Sequence, residues 1–302
     1  MTTLLTSDIA TRIPHRYENL LLDQSIVFDN DCSEFSLCIQ KNDALNRDLF
    51  LTSMNTLPTP LLCEVSALAC IVSSGAIEPG TYAYFAAITQ FAIEGPPFNI
   101  DSPIHGTTKK ISGKNGFYKY MFTIQNNESQ ASGHLMAYYD TEGTANPTLP
   151  SVTLTDPIQT ALTNAPIALT ALPYKQLGMS FIDSLHGQDD SSALYSYTYP
   201  TNHPLIRGHF PNNPVMMGVC QWQMVEDALY HYHAHHSHLS KVSLNALIFK
   251  ADNTPVCELK NVVIDLNSKS APTTKSVKKV MFKQRVNPGD LLYIALTDIT
   301  PL

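Results

Sequence analysis

The stretch "RGHFPNNPVMMGVCQWQM", residues 207–224, decides how the rest of this chain is read. His209 stands before a turn marked by Pro211 and Pro214. Gly218 follows, and then an apolar run with the character of a helix start. Acid–base chemistry begun by His209 needs a carboxylate nearby. The position fourteen residues on, where one is sought, holds Gln223, so the acid has to come from elsewhere in the chain.

Working outward, the same succession of elements occurs twice. Before the helix of the second half come "GMSFIDSL" and the strand-like "SALYSYTYP". After it come four alternating runs, "VSLNALIFKAD", "CELKNVVIDL", "SVKKVMFKQRV" and "DLLYIALTD". The first half offers "NLLLDQSIV", "SEFSLCIQ", the turn "NTLPTP" and the apolar helix "LLCEVSALACIVSS". Its alternating runs are "TYAYFAAITQFAIEG", "GFYKYMFTIQN" and "ASGHLMAYYD". Residues 146–173, rich in Thr, Pro and Ala with Asp156 as the only charge, read as an irregular connector. The expected organisation is therefore two units, 1–145 and 174–302, joined by 146–173. Each is an antiparallel sheet wrapped around one apolar helix, an α+β internal duplication.

Composition narrows the function classes. Of 302 residues, 44 % are hydrophobic and 15 % charged, and the formal net charge is −7. That supplies a large core and argues against a nucleic-acid surface, which needs clustered Lys and Arg. The cysteines at 32, 38, 63, 70, 220 and 257 show no metal-ligand spacing and read as buried thiols in a reducing compartment. The apolar stretch 57–74 is interrupted by Glu64 and Ser66, so it reads as a buried helix and not a membrane span. With no secretory signal visible, a cytoplasmic location is expected. No Gly-rich phosphate loop and no G-x-S-x-G elbow appear, so no cofactor is expected.

"GHFPNNPVMMGV" at 208–219 resembles the histidine loop and helix start of the hotdog-fold (3R)-hydroxyacyl-ACP dehydratases. "IPHRYENLLLDQ" at 13–24 is similar to that family's N-terminal motif, and "KQRVNPGD" at 283–290 to a turn after a later strand. The resemblance is spread over both halves, which implies a double hotdog: a pseudodimer in one chain in place of a homodimer. Two departures stand out. Met217 occupies a usual proline position, and the family has two further strands beyond the one that follows Asp290. The hairpin around 243–266 is the candidate replacement for them.

In the dimers of that family, histidine and carboxylate come from opposite subunits. Aligning the halves on Asp23 and Asp183 sets His209 within one residue of Phe50; fourteen beyond Phe50 stands Glu64, and fourteen beyond His209 stands Gln223. One half keeps the acid and the other keeps the base, so the pair is expected to meet across the internal interface while the second site is dead. Physics points the same way. Glu64 is the only charge between Asp48 and Glu78. A buried lone carboxylate is driven toward its neutral form, which suits a general acid. The bland alternative is a helix-end glutamate reaching water.

The resemblance implies loss of water from a (3R)-3-hydroxyacyl thioester, with His209 as base at C2 and Glu64 as acid at the C3 hydroxyl. It also implies a Gly218 N–H as oxyanion donor and a Val215 carbonyl orienting the imidazole. The substrate is expected on an acyl carrier protein, with Arg207 as a weaker carrier-contact candidate. Leu68 stands where the family often has an acid-orienting glutamine. No metal is expected: "HYHAHHSH" at 231–238 reads as a solvated helix end, while His15 and Arg16 read as structural and Trp222 as core. The basic cluster Lys278, Lys279, Lys283 and Arg285 reads first as a solvated strand face. Two rival functions are an acyl thioesterase on the same fold and a silent acyl-binding module.

Overall fold

The computed structural model describes residues 1–29, 31–74, 82–140, 149–266 and 271–302. The first half runs β1 (Thr2–Leu5), α1 (Thr6–Arg12), β2 (Gln24–Val27), β3 (Cys32–Leu37), α2 (Thr59–Ser73), β4 (Tyr82–Glu94), β5 (Ile104–Lys114), β6 (Phe117–Gln125) and β7 (Gln130–Asp140). Then follow α3 (Asp156–Leu162), β8 (Ile167–Ala168), β9 (Ser184–Gln188), β10 (Ala193–Thr198) and α4 (Gly218–His235). The chain closes with β11 (Lys241–Lys250), β12 (Pro255–Asp265), β13 (Thr273–Phe282) and β14 (Leu291–Pro301).

All strands join one antiparallel sheet in the order β1-β2-β3-β5-β6-β7-β4-β13-β12-β11-β14-β10-β9-β8. The halves meet at β4 and β13, where Ile88 lies opposite Val280. This pairing removes two edges that would otherwise present unpaired backbone groups. The sheet curls around α2 and α4, which pack against each other. Every residue of α2 is buried. Its serines need no water, because Ser66 and Ser73 donate to the carbonyls of Leu62 and Cys70 at 2.9 and 2.8 Å. The architecture is a double hotdog.

The two halves fill equivalent places in the sheet, but the chain visits them in different orders. In the first half β4 takes the junction, the chain crosses to lay β5 beside β3, and β6 and β7 return to β4. In the second half β11 and β12 come first, β13 takes the junction, and only then does the chain cross to lay β14 beside β10. The hairpin β11–β12 thus occupies the places that two strands after β14 would take. Duplication of the element plan holds for the places filled and not for their succession.

Two further expectations change. The connector is partly regular: α3 lies within it, and Leu154, Ile158 and Ala161 pack on Leu194, Phe249 and Ala295 at the outer face of the second half. Pro157 sits in the first turn of α3, where a missing N–H is harmless, so it starts the helix instead of breaking one. Residues 146–148 of that connector, and the boundary at 145, lie outside the described residues. Strand β5 escaped the alternation reading because its inward positions include Gly106 and Thr108. A Cβ on Gly106 would stand 2.2 Å from the Phe35 ring, so the small residue makes room for the large one.

Candidate active site

The histidine loop is fastened from two sides. The Val215 carbonyl lies 3.0 Å from His209 Nδ1, and the Val215 N–H donates to the His209 carbonyl at 3.1 Å. A carbonyl can only accept, so Nδ1 carries the ring proton and Nε2 keeps its lone pair. On the other side the N-terminal motif of the first half grips the loop. Arg16 N–H donates to the Gly208 carbonyl at 3.0 Å. Gly208 packs so closely that a Cβ would lie 2.2 Å from Asn19 Nδ2 and 2.3 Å from the Arg16 carbonyl. Buried Glu18 pairs with Arg207 at 2.9 Å.

Glu64 projects from α2, and the packing of the two helices brings it to this loop. Its Oε1 lies 3.6 Å from His15 Nε2. The His15 and His209 ring centroids are 5.0 Å apart, and one ligand-type atom from each of His15, Glu64 and His209 falls within 4.8 Å of the other two. All three side chains are buried. Burial pushes the Glu64 carboxyl up to about 7, against a smaller pull from His209. Burial also lowers His209 to about 4, with His15 adding to the lowering and Glu64 opposing it. His15 falls to about 3 through burial and the Arg16 charge. Although 3.6 Å is within ion-pair reach, His15 is neutral at ordinary pH, so its contact with Glu64 is not a salt bridge. Among the described residues this trio is also the one group placed so that it could hold a metal ion.

The trio borders a cavity of about 440 Å³. Ala67 and Ile71 of α2 line it on one side, and Gly218 and Gln221 of α4 on the other, with Phe85 and Ala137 further along. Such an apolar cleft with a few polar groups is the usual form of a small-molecule site. Gly218 is the first residue of α4, where an N–H has no carbonyl one turn back to bind. Its N–H and the helix dipole therefore favour negative charge at this wall.

The equivalent place in the other half is filled. Phe50 and Gln223 are buried, and neither borders this cavity. Lys175 stands there, its Nζ 2.7 Å from Asp227 Oδ1 and 3.3 Å from Gln223 Oε1. Asp227 also accepts from the Tyr174 hydroxyl at 3.1 Å and the Phe181 N–H at 2.8 Å. Lys175 and Asp227 carry no motif of their own. The alignment of Asp23 with Asp183 does contain a signal, since it sets His15 against Lys175.

The remaining candidates fall into place around this centre. Arg207 pairs with Glu18 and lies over the Tyr17 ring at 5.0 Å, outside the cavity lining, with its side chain half exposed. Lys278 and Lys279 are exposed on β13. Lys283 and Arg285 line the cavity, Lys283 paired with Glu258 at 2.9 Å and Arg285 with Asp140 at 2.6 Å. Trp222 is a core residue whose indole N–H donates to Thr274 at 3.2 Å. In the histidine-rich tail, α4 continues through His235, and His236 stacks on Tyr232. His15, which the sequence reads as structural, borders the cavity beside Glu64.

Residues 185–258 match the ApeI-like family model, described as ApeI dehydratase. No curated protein matches the chain. Among solved structures, the dehydratase heterocomplex ApeI:P from Xenorhabdus doucetiae is 18 % identical. The match spans 44 % of this chain and 91 % of that one, with a TM-score of 0.38. The pyran synthase domain from module nine of the sorangicin pathway is 12 % identical over 93 % of this chain and 98 % of its own, with a TM-score of 0.47. The dehydratase domain from the CurK module of curacin polyketide synthase is 11 % identical over 88 % and 94 %, with a TM-score of 0.43. No helix among the described residues is long and apolar enough to cross a membrane. The chain has the double-hotdog architecture, and its residues 185–258 are similar to the ApeI-like dehydratase family.

Proposed function

We propose that this chain removes water from (3R)-3-hydroxyacyl thioesters, giving trans-2-enoyl thioesters, at one composite site. The observation that carries the reading is the meeting of His209 and Glu64 from opposite halves, within 4.8 Å, at one apolar cavity. Their shifts are opposite in sense: the acid holds its proton up to about pH 7, while the imidazole stays a free base down to about 4. An acid and a base whose environments separate their protonation states in this way are poised for a paired proton transfer.

In the proposed step, His209 Nε2 takes the C2 proton and the C2–H electron pair forms the C2=C3 bond. The C3–O bond breaks, and the oxygen leaves as water with the proton of Glu64. Charge growing on the thioester oxygen is met by the Gly218 N–H. A base of pKa about 4 is weak at rest. It strengthens during the step, because Glu64 becomes an anion as His209 becomes a cation. The substrate form we propose is the thioester borne by an acyl carrier protein. Exposed Lys278 and Lys279 stand on the stretch of chain that leads to Lys283 and Arg285 in the cavity wall, which suits an acidic carrier.

The test is a series of crotonyl and 3-hydroxyacyl thioesters. His209→Ala and Glu64→Gln are each expected to lower turnover about 10²–10⁴-fold, and the double variant by less than the product. Phe50→Ala and Gln223→Ala should retain most of the rate. Undiminished turnover in either single variant, or free thiol released in place of an enoyl product, would overturn the proposal. The thiol result would point to a thioesterase.

A further inference from the structure

Leu68, one helical turn after Glu64 on α2, is apolar and cannot hold the carboxyl group. We propose that His15 is the positioning residue for this acid: its Nε2–H takes Glu64 Oε1 as acceptor and leaves the transferable proton on Oε2. This deepens the dehydration reading above and rests on it for the effect on rate.

Three observations support the assignment. First, His15 Nε2 lies 3.6 Å from Glu64 Oε1. That is longer than a hydrogen bond, but catalytic contacts are often loose before substrate fills the site and tighten when it does. Second, His15 Nδ1 and Glu64 Oε2 are buried without a hydrogen-bond partner among the described residues. With its proton on Nε2, neutral His15 points its one donor at Glu64 and leaves only a lone pair unmet. The opposite tautomer would bury an N–H with no acceptor, the costlier defect. Third, the other half makes the same positional contact independently. Lys175, which aligns with His15, donates at 3.3 Å to Gln223, which aligns with Glu64 to within one residue. In that half Asp227, one turn after Gln223, also holds Lys175. In the first half the corresponding residue is Leu68, so the contact falls to His15.

The titratable groups close to Glu64 come from four segments: His15 from the N-terminal motif, His209 from the loop before α4, and the thiols of Cys63 on α2 and Cys220 on α4, both pushed up by burial and, to a smaller degree, by Glu64. Tyr84, Asp140, Lys283 and Arg285 stand along the same cavity. Replacing His15 leaves all of these in place. A donor to a carboxyl group favours its charged form, so losing the donor raises the pKa.

The experiment follows the Glu64 carboxyl by NMR on protein labelled with ¹³C at glutamate side-chain carboxyls, with Glu64→Gln assigning the resonance. His15→Leu is expected to raise its midpoint by about one pH unit, and His15→Gln, which keeps a donor, to return it to within about 0.3. Turnover should fall about tenfold or more in the Leu variant at unchanged KM, with recovery in the Gln variant. The ¹⁵N shifts of wild-type His15 should report the Nε2–H tautomer, a readout that needs no variant to fold. An Nδ1–H tautomer, an unmoved midpoint in the Leu variant, or equal shifts in both variants would overturn the inference. Full activity in Glu64→Gln with the titration shift intact would remove the dehydration reading and leave the contact standing.

Discussion

Replacing Glu64 by glutamine should make the protein more stable at alkaline pH while lowering the proposed turnover. The folded carboxyl holds its proton up to about 7 against 4.5 for the ordinary group, because burial penalises the charge. The sign follows from linkage: a folded-state pKa above the unfolded value gives stability that is fully present below the unfolded pKa and lost as pH rises through the folded one. Between pH 4.5 and about 7 the wild-type protein therefore loses, from this group alone, about 3 kcal/mol as an order of magnitude. Gln does not titrate, so the stability difference between variant and wild type should climb by that amount over this window and be flat on either side. At low pH the variant starts slightly behind, since a buried amide with unmet hydrogen bonds costs about 1–3 kcal/mol. Glu226, also pushed up to about 7, titrates alike in both proteins and cancels from the difference. The assay is urea unfolding of both proteins from pH 4.5 to 8.5 with slopes compared. A difference that stays within about 1 kcal/mol across the series would mean that Glu64 ionises as freely as in water, and the desolvation argument for a general acid would fail.

Three other outcomes are expected. Lys175→Met leaves Asp227 buried without its cation and should cost about 3–5 kcal/mol in unfolding experiments while turnover stays near wild type; lost turnover without lost stability would show that the filled half takes part in the chemistry. Gly208→Ala drives a Cβ into Asn19 and the Arg16 backbone and should displace the histidine loop. A shift of about 1 Å there lowers kcat/KM about 100-fold, and a near-normal rate would show that the loop is not clamped. Ala137→Leu narrows the cavity, so kcat/KM for long acyl thioesters should fall tenfold or more relative to short ones, about the worth of two methylenes; equal losses for all lengths would place the acyl chain elsewhere.

The amino-acid sequence by itself carries the elements and the division of labour between the halves. Period-2 alternation marked most strands, because each has one face buried and one in water, and a helix with no polar face such as α2 has to lie inside something. His209 with Gln223, and Phe50 with Glu64, are the pairs of positions from which the proposed split of base and acid between the halves is read. What the sequence does not hold is the succession in which strands take their places. Antiparallel neighbours are satisfied equally by either chain order, and the β11–β12 hairpin alternates like any other. Nor does it hold the position of His15. That side chain reaches Glu64 because Arg16 and Asn19 clamp against Gly208 of the other half, a contact between residues nearly two hundred positions apart. Local pattern records which face of an element avoids water. Which buried groups then stand within reach of one another is decided only when the two helices and the junction between β4 and β13 come together.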